Sequence, residues 1–416
     1  MKHNDDLYEK RNSFFLELSN AGKGGILLAI IIGVVVFGIG LFVEPTRTWG
    51  SLLFNLMFFF SLALGGIAFG NMQDVVGATW GRPIKRIHES FGAFIPWASG
   101  IFIFYLLAIK LDQLGAGKIY KWVADPHMLD HFYGKNIWLQ YDFMMIRDIV
   151  AVALIAGFSW WHLKITSQRD LALVEGRKDD AKRLGEEARQ TLRFWSAPIL
   201  LIYAFAFSLI AFDLTMSLAP TWFSTLWGGW SFAIMMQTLM AFTLIMMFYL
   251  KESKIGEYIK RQQFHDIGKL MFGFTVFFAY LTYAHILTYW YGNVPEETSY
   301  FIVRLEAPWI YIIFASLFLS FFFPFFAMIP RISKWTGAIT IPVALVILLA
   351  QWLNYLLVVI PEVVPEGTSW MFPWIEVGVF FGFLGLFLFS IFQFGKKVPM
   401  LSIADPLLES ALQDEH

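Results

Sequence analysis

The chain has 416 residues, of which 57% are hydrophobic, 19% aromatic and only 15% charged, and its mean hydropathy is +0.59. No water-soluble domain needs that much apolar surface, so the composition excludes a soluble enzyme and indicates a polytopic membrane protein. The formal net charge is only -1, and the absence of cysteine excludes disulfides, thiolate-held iron–sulfur clusters and covalently attached haem.

The first 25 residues are charged and lack the short apolar core and small-residue cleavage site of a signal peptide, so they read as a retained cytoplasmic tail. A span needs roughly 20 predominantly apolar residues. Runs that qualify lie at 26–43, 52–72, 91–109, 141–163, 195–218, 222–250, 267–291, 302–328, 338–360 and 372–394. The expected fold is therefore an all-α integral membrane protein with a ten-span domain over 26–394 and a cytoplasmic C-terminal tail over 395–416.

The basic residues orient it. With both ends in the cytoplasm, 23 of the 31 Lys and Arg fall on the cytoplasmic side and four, Arg47, Lys118, Lys121 and Lys135, on the other. Basic residues resist translocation, so this asymmetry supports that topology. The polar segment 71–97, NMQDVVGATWGRPIKRIHESFGAFIPW, sits between the second and third runs and holds Arg82, Lys85 and Arg86 against Asp74 and Glu89.

Two loops are long enough to carry structure. Residues 164–193 mix charge signs among helix formers and read as a solvated cytoplasmic helical arm or a docking site for a soluble partner. The periplasmic loop 111–140 carries Trp122, Trp138, His127 and His131; interfacial packing explains it better than a metal site, because one histidine pair without acid or thiol support is a poor ligand set. Tryptophans at span ends, including Trp222, Trp227 and Trp370, read as an aromatic belt.

Ionisable residues within spans are costly and mark function or pairing. Asp148, Asp213, His285, Glu306 and Glu376, with Asp142 at the lip of the fourth span, all fall toward the outer face, as do Arg147 and Arg304. Two accounts compete: a water-filled cavity or proton path, and structural ion pairs in which Arg147 and Arg304 neutralise Asp148, Glu306 or Glu376. On the inner side the counterpart is Asp74, His88 and Glu89. Gln237, Thr238, Gln351 and Asn354 read as interhelical hydrogen-bonding residues. A bis-histidine haem needs two histidines at matched depth. Only His88 and His162 approach that, and both read as interfacial, so no haem is expected in this chain.

The run ATWGRPIKRIHESFGAFIPW, the ten-span layout, the lack of cysteine and the proline-containing outer spans resemble the ActF-type membrane subunits of the bacterial alternative complex III. These belong with the NrfD-like or polysulfide-reductase-type family. The similarity covers nearly the whole chain, with WGRPIKRIHE at 80–89 as its most specific part. It implies two four-helix bundles, spans two to five and six to nine, flanked by spans one and ten, in the bacterial inner membrane. It also implies membership of a quinol:cytochrome c oxidoreductase, with a homologous sister subunit that holds the quinol (menaquinone or ubiquinone), a periplasmic iron–sulfur subunit and haem c subunits as partners, and no nucleic acid. One departure is visible: LALGGIAFGNM in the second span contains no histidine or acid of the kind associated with the sister subunit's quinol pocket.

Three functions follow as expectations. The chain conducts protons or supports the sister subunit in a respiratory complex; it is a secondary transporter, which would show inverted repeats and broken helices at the midplane; or it is a structural anchor.

Overall fold

The computed structural model describes residues 7–129, 134–364 and 373–413; His131, Trp370 and the start of the tenth run at Phe372 lie outside them. Among the described residues there is no strand, and ten helices are long and apolar enough to cross a membrane. The protein is an all-α, multi-pass membrane protein.

The chain begins with α1 (Asn20–Val43), capped by Ser19, whose side chain accepts from the Gly22 N–H. Helix α2 (Pro45–Val76) opens on Pro45, which needs no N–H partner there, and stops at Gly77, whose φ of +60° suits a residue without a Cβ. Nearly every α2 side chain is buried. It is the column around which the rest packs, which is why it has no polar face and no amphipathic period.

Next come α3 (Arg82–Glu89) and α4 (Ile95–Lys110), joined by a 3₁₀ turn over Ser90–Phe94. Helices α5 (Tyr141–Val174) and α6 (Lys178–Leu214) form a long hairpin, and Gly176 at φ +83° makes the turn between them. Helices α2, α4, α5 and α6 form one four-helix bundle. The second consists of α7 (Trp227–Leu250), α8 (Arg261–Gly292), a span over Trp309–Met328, and a span over Gly337–Val363. A short helix α9 (Pro295–Leu305) precedes that third member, which we label α10, and the fourth is α11.

The last span, α12 (Trp374–Lys397), pairs along its length with α1, and both lie against α2. Glycines make the approach close: a Cβ on Gly33 would stand 2.2 Å from the Gly382 Cα. Small residues at such a crossing replace the hydrophobic drive that is missing between helices in lipid.

The chain ends meet. Leu16 N–H donates to the Gly395 carbonyl at 2.9 Å, and Met400 N–H donates to the Phe14 carbonyl at 2.8 Å. An even number of spans and these bonds put both ends on one side of the bundle.

Three expectations need correction. His88, read as interfacial, lies in the interior, as every residue of α3 is buried. The charges of α3 thus pair internally. The segment 164–193 is helical as expected, formed where α5 and α6 run on to their turn, but it is not solvated throughout, because Arg169 and Asp170 within it are buried. The eighth span starts at Trp309 rather than at residue 302, since α9 ends at Leu305 and a break separates it from α10. That break leaves Glu306 exposed, outside any buried cluster.

Candidate functional site

At the end where the chain termini meet, the first bundle holds a buried ionic network. Pro83 starts α3 and the 3₁₀ turn ends it, so its short amphipathic face points Arg82, Lys85, Arg86 and Glu89 inward. Asp74, at the last turn of α2, accepts from Arg82 at 2.8 Å and Lys85 at 2.5 Å. Arg86 pairs with Asp170 of α5 at 2.5 Å and lies 3.2 Å from Glu89. Glu89 Oε1 lies 2.8 Å from His162 Nε2 and 3.5 Å from Lys85. The C-terminal segment completes the set. Asp405 accepts from Arg82 at 3.2 Å and Arg169 at 3.1 Å, while the Ala404 N–H donates to Asp170 at 2.9 Å.

Four carboxylates, Asp74, Glu89, Asp170 and Asp405, thus face four cations, Arg82, Lys85, Arg86 and Arg169. Eight charges out of water are tolerable only because they balance and share hydrogen bonds; removing one partner of a buried pair costs about 3–5 kcal/mol. For Asp405 burial opposes ionisation, but Arg169, Arg82 and Lys85 and the Leu407 N–H outweigh it and hold the carboxyl well below the usual carboxylate range.

Of the three inner residues named from sequence, Asp74 and Glu89 are linked through Lys85, His88 bonds elsewhere, and the ionic group is far larger than three residues. Arg169, Asp170 and Asp405 are the additions. Asp170 carried a signal: along α5 the buried residues Asp148, Ser159, His162, Thr166 and Asp170 recur at helical spacing on one face. Asp405 sits in a polar tail whose sequence gives no hint of burial.

His88 uses both ring nitrogens, Nδ1 against the Gly66 carbonyl at 3.0 Å and Nε2 against Gln73 at 3.2 Å, so it is not presented as a ligand. His162 keeps a buried Nδ1 with no partner. Among the described residues no group of three His, Asp or Glu is placed to hold a metal ion.

At the opposite end the outer residues separate into unrelated sites. Asp148 is fully buried with neither oxygen hydrogen-bonded to a donor, and its electrostatic neighbours are Asp213 and Arg147. Asp213 accepts from Arg147 at 2.5 Å and from Trp138 Nε1 at 2.9 Å. Trp138, read as part of an interfacial loop, thus holds a carboxylate and also stacks under Arg147, whose guanidinium lies 3.8 Å from its ring.

Glu376 pairs with neither Arg147 nor Arg304. It is clamped by Arg47 of α2, which was counted in the outer loop and is buried in the helix. Arg304 pairs with Glu362 at 2.9 Å and donates to the carbonyls of Leu357 and Val358, both at 2.9 Å. The five outer residues therefore do not line one path. Asp148 and Asp213 form a pair, Glu376 is a structural ion-pair member, Glu306 is exposed, and His285 lies in the second bundle.

There His285 has no hydrogen-bond partner for its buried Nε2. Its ring is packed among Trp222, Trp227 and Trp230, with centroids 6.5, 6.2 and 6.4 Å away. These side chains line a cavity of about 400 Å³ between α7, α8, α9, α10 and α11. From its floor a polar chain runs inward: Ser316 donates to Asn354 at 2.6 Å, Asn354 to Gln351 at 2.9 Å, Gln351 to Gln237, and Gln237 to Thr275 at 2.9 Å. Pro324 lacks the N–H that would bond the Ser320 carbonyl four residues back, and α10 opens into a π-turn over Phe318–Phe322. The freed carbonyl accepts from Gln237 at 3.0 Å.

No protein-family model matches the chain, and no curated protein matches it either.

Proposed function

We propose that this chain is a membrane subunit of a respiratory quinol:cytochrome c oxidoreductase of the alternative complex III type, in the bacterial inner membrane with both ends cytoplasmic. It supports a quinol-oxidising sister subunit, next to an iron–sulfur subunit and haem c subunits, and handles protons in its first bundle. The resemblance centred on residues 80–89 suggests the complex, and one structural observation carries the proton role.

That observation is the buried face of α5. Toward the inner end it presents Ser159, His162, Thr166 and Asp170, and toward the outer end Asp148. Ser159 exchanges a hydrogen bond with Tyr203 at 3.0 Å, extending the inner polar group by one helix. Ser159 and Asp148 stand 11 positions apart, about 16 Å of helix rise, and between them the same face carries Ala151, Val152 and Ile155. Protonatable groups thus occupy both ends of one helix face and an apolar gap separates them. Such an arrangement conducts only when water enters the gap, and a subunit coupled to electron transfer needs that gate.

The partner half of the reading is tested by purifying the chain in mild detergent from its native membrane. Co-migration of haem c and iron–sulfur proteins supports it. Purification as a lone chain with transport of a solute in vesicles would favour a secondary transporter instead.

A further inference from the structure

We infer that the crevice between the start of α8 and the α10–α11 turn holds the headgroup of an anionic phospholipid, with its phosphate between Arg261 and Arg331 and an acyl chain along the outer face of α10. This goes beyond the proton-handling reading and does not rest on it, because the site lies in the second bundle. It needs only the membrane spans.

The first observation is unspent positive charge. The crevice opens at the end where the chain termini meet, has a volume of about 1070 Å³, and is lined by Lys260, Arg261, Arg331 and Trp335 among others. Trp335 carries both arginines: the Arg261 guanidinium lies 3.8 Å from its ring and that of Arg331 5.8 Å. Neither makes a hydrogen bond or a carboxylate ion pair with a described residue. Exposed arginines of the α5–α6 hairpin behave differently, since Arg177 pairs with Asp180 at 3.2 Å, Arg183 with Glu187 at 2.8 Å and Arg189 with Glu186 at 3.3 Å.

The second is the lack of an internal counter-charge. Asp266 lines the crevice too, but Lys269 at 2.7 Å and Gln262 at 3.0 Å already engage it. The charged neighbours of His265, whose ring packs 5.3 Å from that of Trp335, are Lys269, Arg331 and Lys334 against Asp266, three cations to one acid. Two guanidinium groups fixed on one indole repel each other, and a phosphate between them would accept from both forks.

The third observation decides which anion. Phe314, Phe318, Phe322, Phe326 and Ile329 recur at about every fourth residue along α10, and each is at least 43% exposed. Ile332 continues that stripe into the crevice wall. An apolar track thus runs from the membrane interior to the arginines, beside a tryptophan at headgroup level. An inorganic anion or an acidic peptide would use the arginines and leave the track empty, whereas an anionic phospholipid uses both.

The test uses the full chain, stripped of lipid in a neutral detergent, with lipid adducts counted by native mass spectrometry. Dioleoyl phosphatidylglycerol should form one adduct at least about 10-fold tighter than dioleoyl phosphatidylcholine, the size of one charge-assisted hydrogen bond. Arg261→Gln/Arg331→Gln should erase that preference, and Lys182→Gln/Arg183→Gln, on the α5–α6 hairpin, should keep it. Equal affinity for the two lipids, a preference untouched by the Arg261/Arg331 change, or one lost equally in both variants would overturn the proposal. Excess inorganic phosphate should leave the adduct in place, and displacement by it would show a free-anion site and overturn the lipid assignment. A measurement on the unaltered chain guards against misfolded variants: phosphatidylglycerol with a photoreactive headgroup should label residues within 261–265 or 331–335, and labelling confined to other segments would contradict the site.

Discussion

Arg47 of α2 and Glu376 of α12 form a two-point ion pair across 329 residues of sequence, with Nε to Oε1 at 2.7 Å and Nη2 to Oε2 at 2.9 Å. Glu44 braces the same guanidinium at 3.0 Å. The pair closes the outer end of the flanking helices onto the central column. Asn55, one face further along α2, donates to the Glu376 carbonyl at 3.4 Å and accepts from Trp352 of α11 at 2.9 Å, so the clamp reaches the second bundle too.

Breaking that pair from one side should be costly. Glu376→Gln or Arg47→Met leaves a buried charge unpaired, with an expected loss of about 3–5 kcal/mol. The double variant Arg47→Met/Glu376→Met should recover most of it, because two apolar side chains need no counter-charge. Thermal melting of the three proteins in detergent checks this, and equal melting for single and double variants would refute the clamp.

The α1–α12 contact depends on the absence of side-chain bulk. Gly33→Leu should force the Gly382 backbone away and destabilise the pair by about 1–3 kcal/mol, as overpacking does. Gly24→Leu, where a Cβ meets nothing within 4 Å, should be neutral. Aggregation temperature by size-exclusion chromatography distinguishes the two.

The C-terminal segment is held by charge. Because the folded Asp405 carboxyl titrates well below the usual carboxylate range, its contribution is present above the unfolded carboxylate pKa of about 3.9 and fades as pH falls toward the depressed value. Hydrogen exchange of residues 400–413 should stay slow to below pH 4, and Asp405→Asn should make it fast at neutral pH. Equal protection in both proteins would remove the tail from the network.

Topology is open to direct labelling because the chain has no cysteine. A cysteine at Asn293 should react with a membrane-impermeant thiol reagent in intact cells, and one at Arg183 only after lysis. Reversal of that pattern would invert the orientation.

Spans and their number were legible from hydropathy, since lipid demands long apolar helices and leaves few alternatives. What hydropathy does not carry is where a polar residue finds its partner. Arg47 read as a loop residue because it lies near a span end, yet its mate is Glu376, which the sequence places far away. Arg82, Lys85 and Arg86 read as a cytoplasmic marker, and only packing shows that four carboxylates from four segments neutralise them. Glu306 joined the buried group on apparent depth, which failed once the chain broke between α9 and α10. Trp222 and Trp227 beside His285 were read as a belt, because a cavity wall and a membrane interface use the same residues.

In the proposed function the buried face of α5 moves protons across the first bundle. The ratio of protons released to electrons transferred, measured for the whole complex in proteoliposomes, tests it most directly. Asp148→Asn and His162→Gln should each lower that ratio while subunit composition and haem content stay as in the unaltered complex. A ratio unchanged in both variants, with assembly intact, would contradict the account and leave the chain a structural anchor.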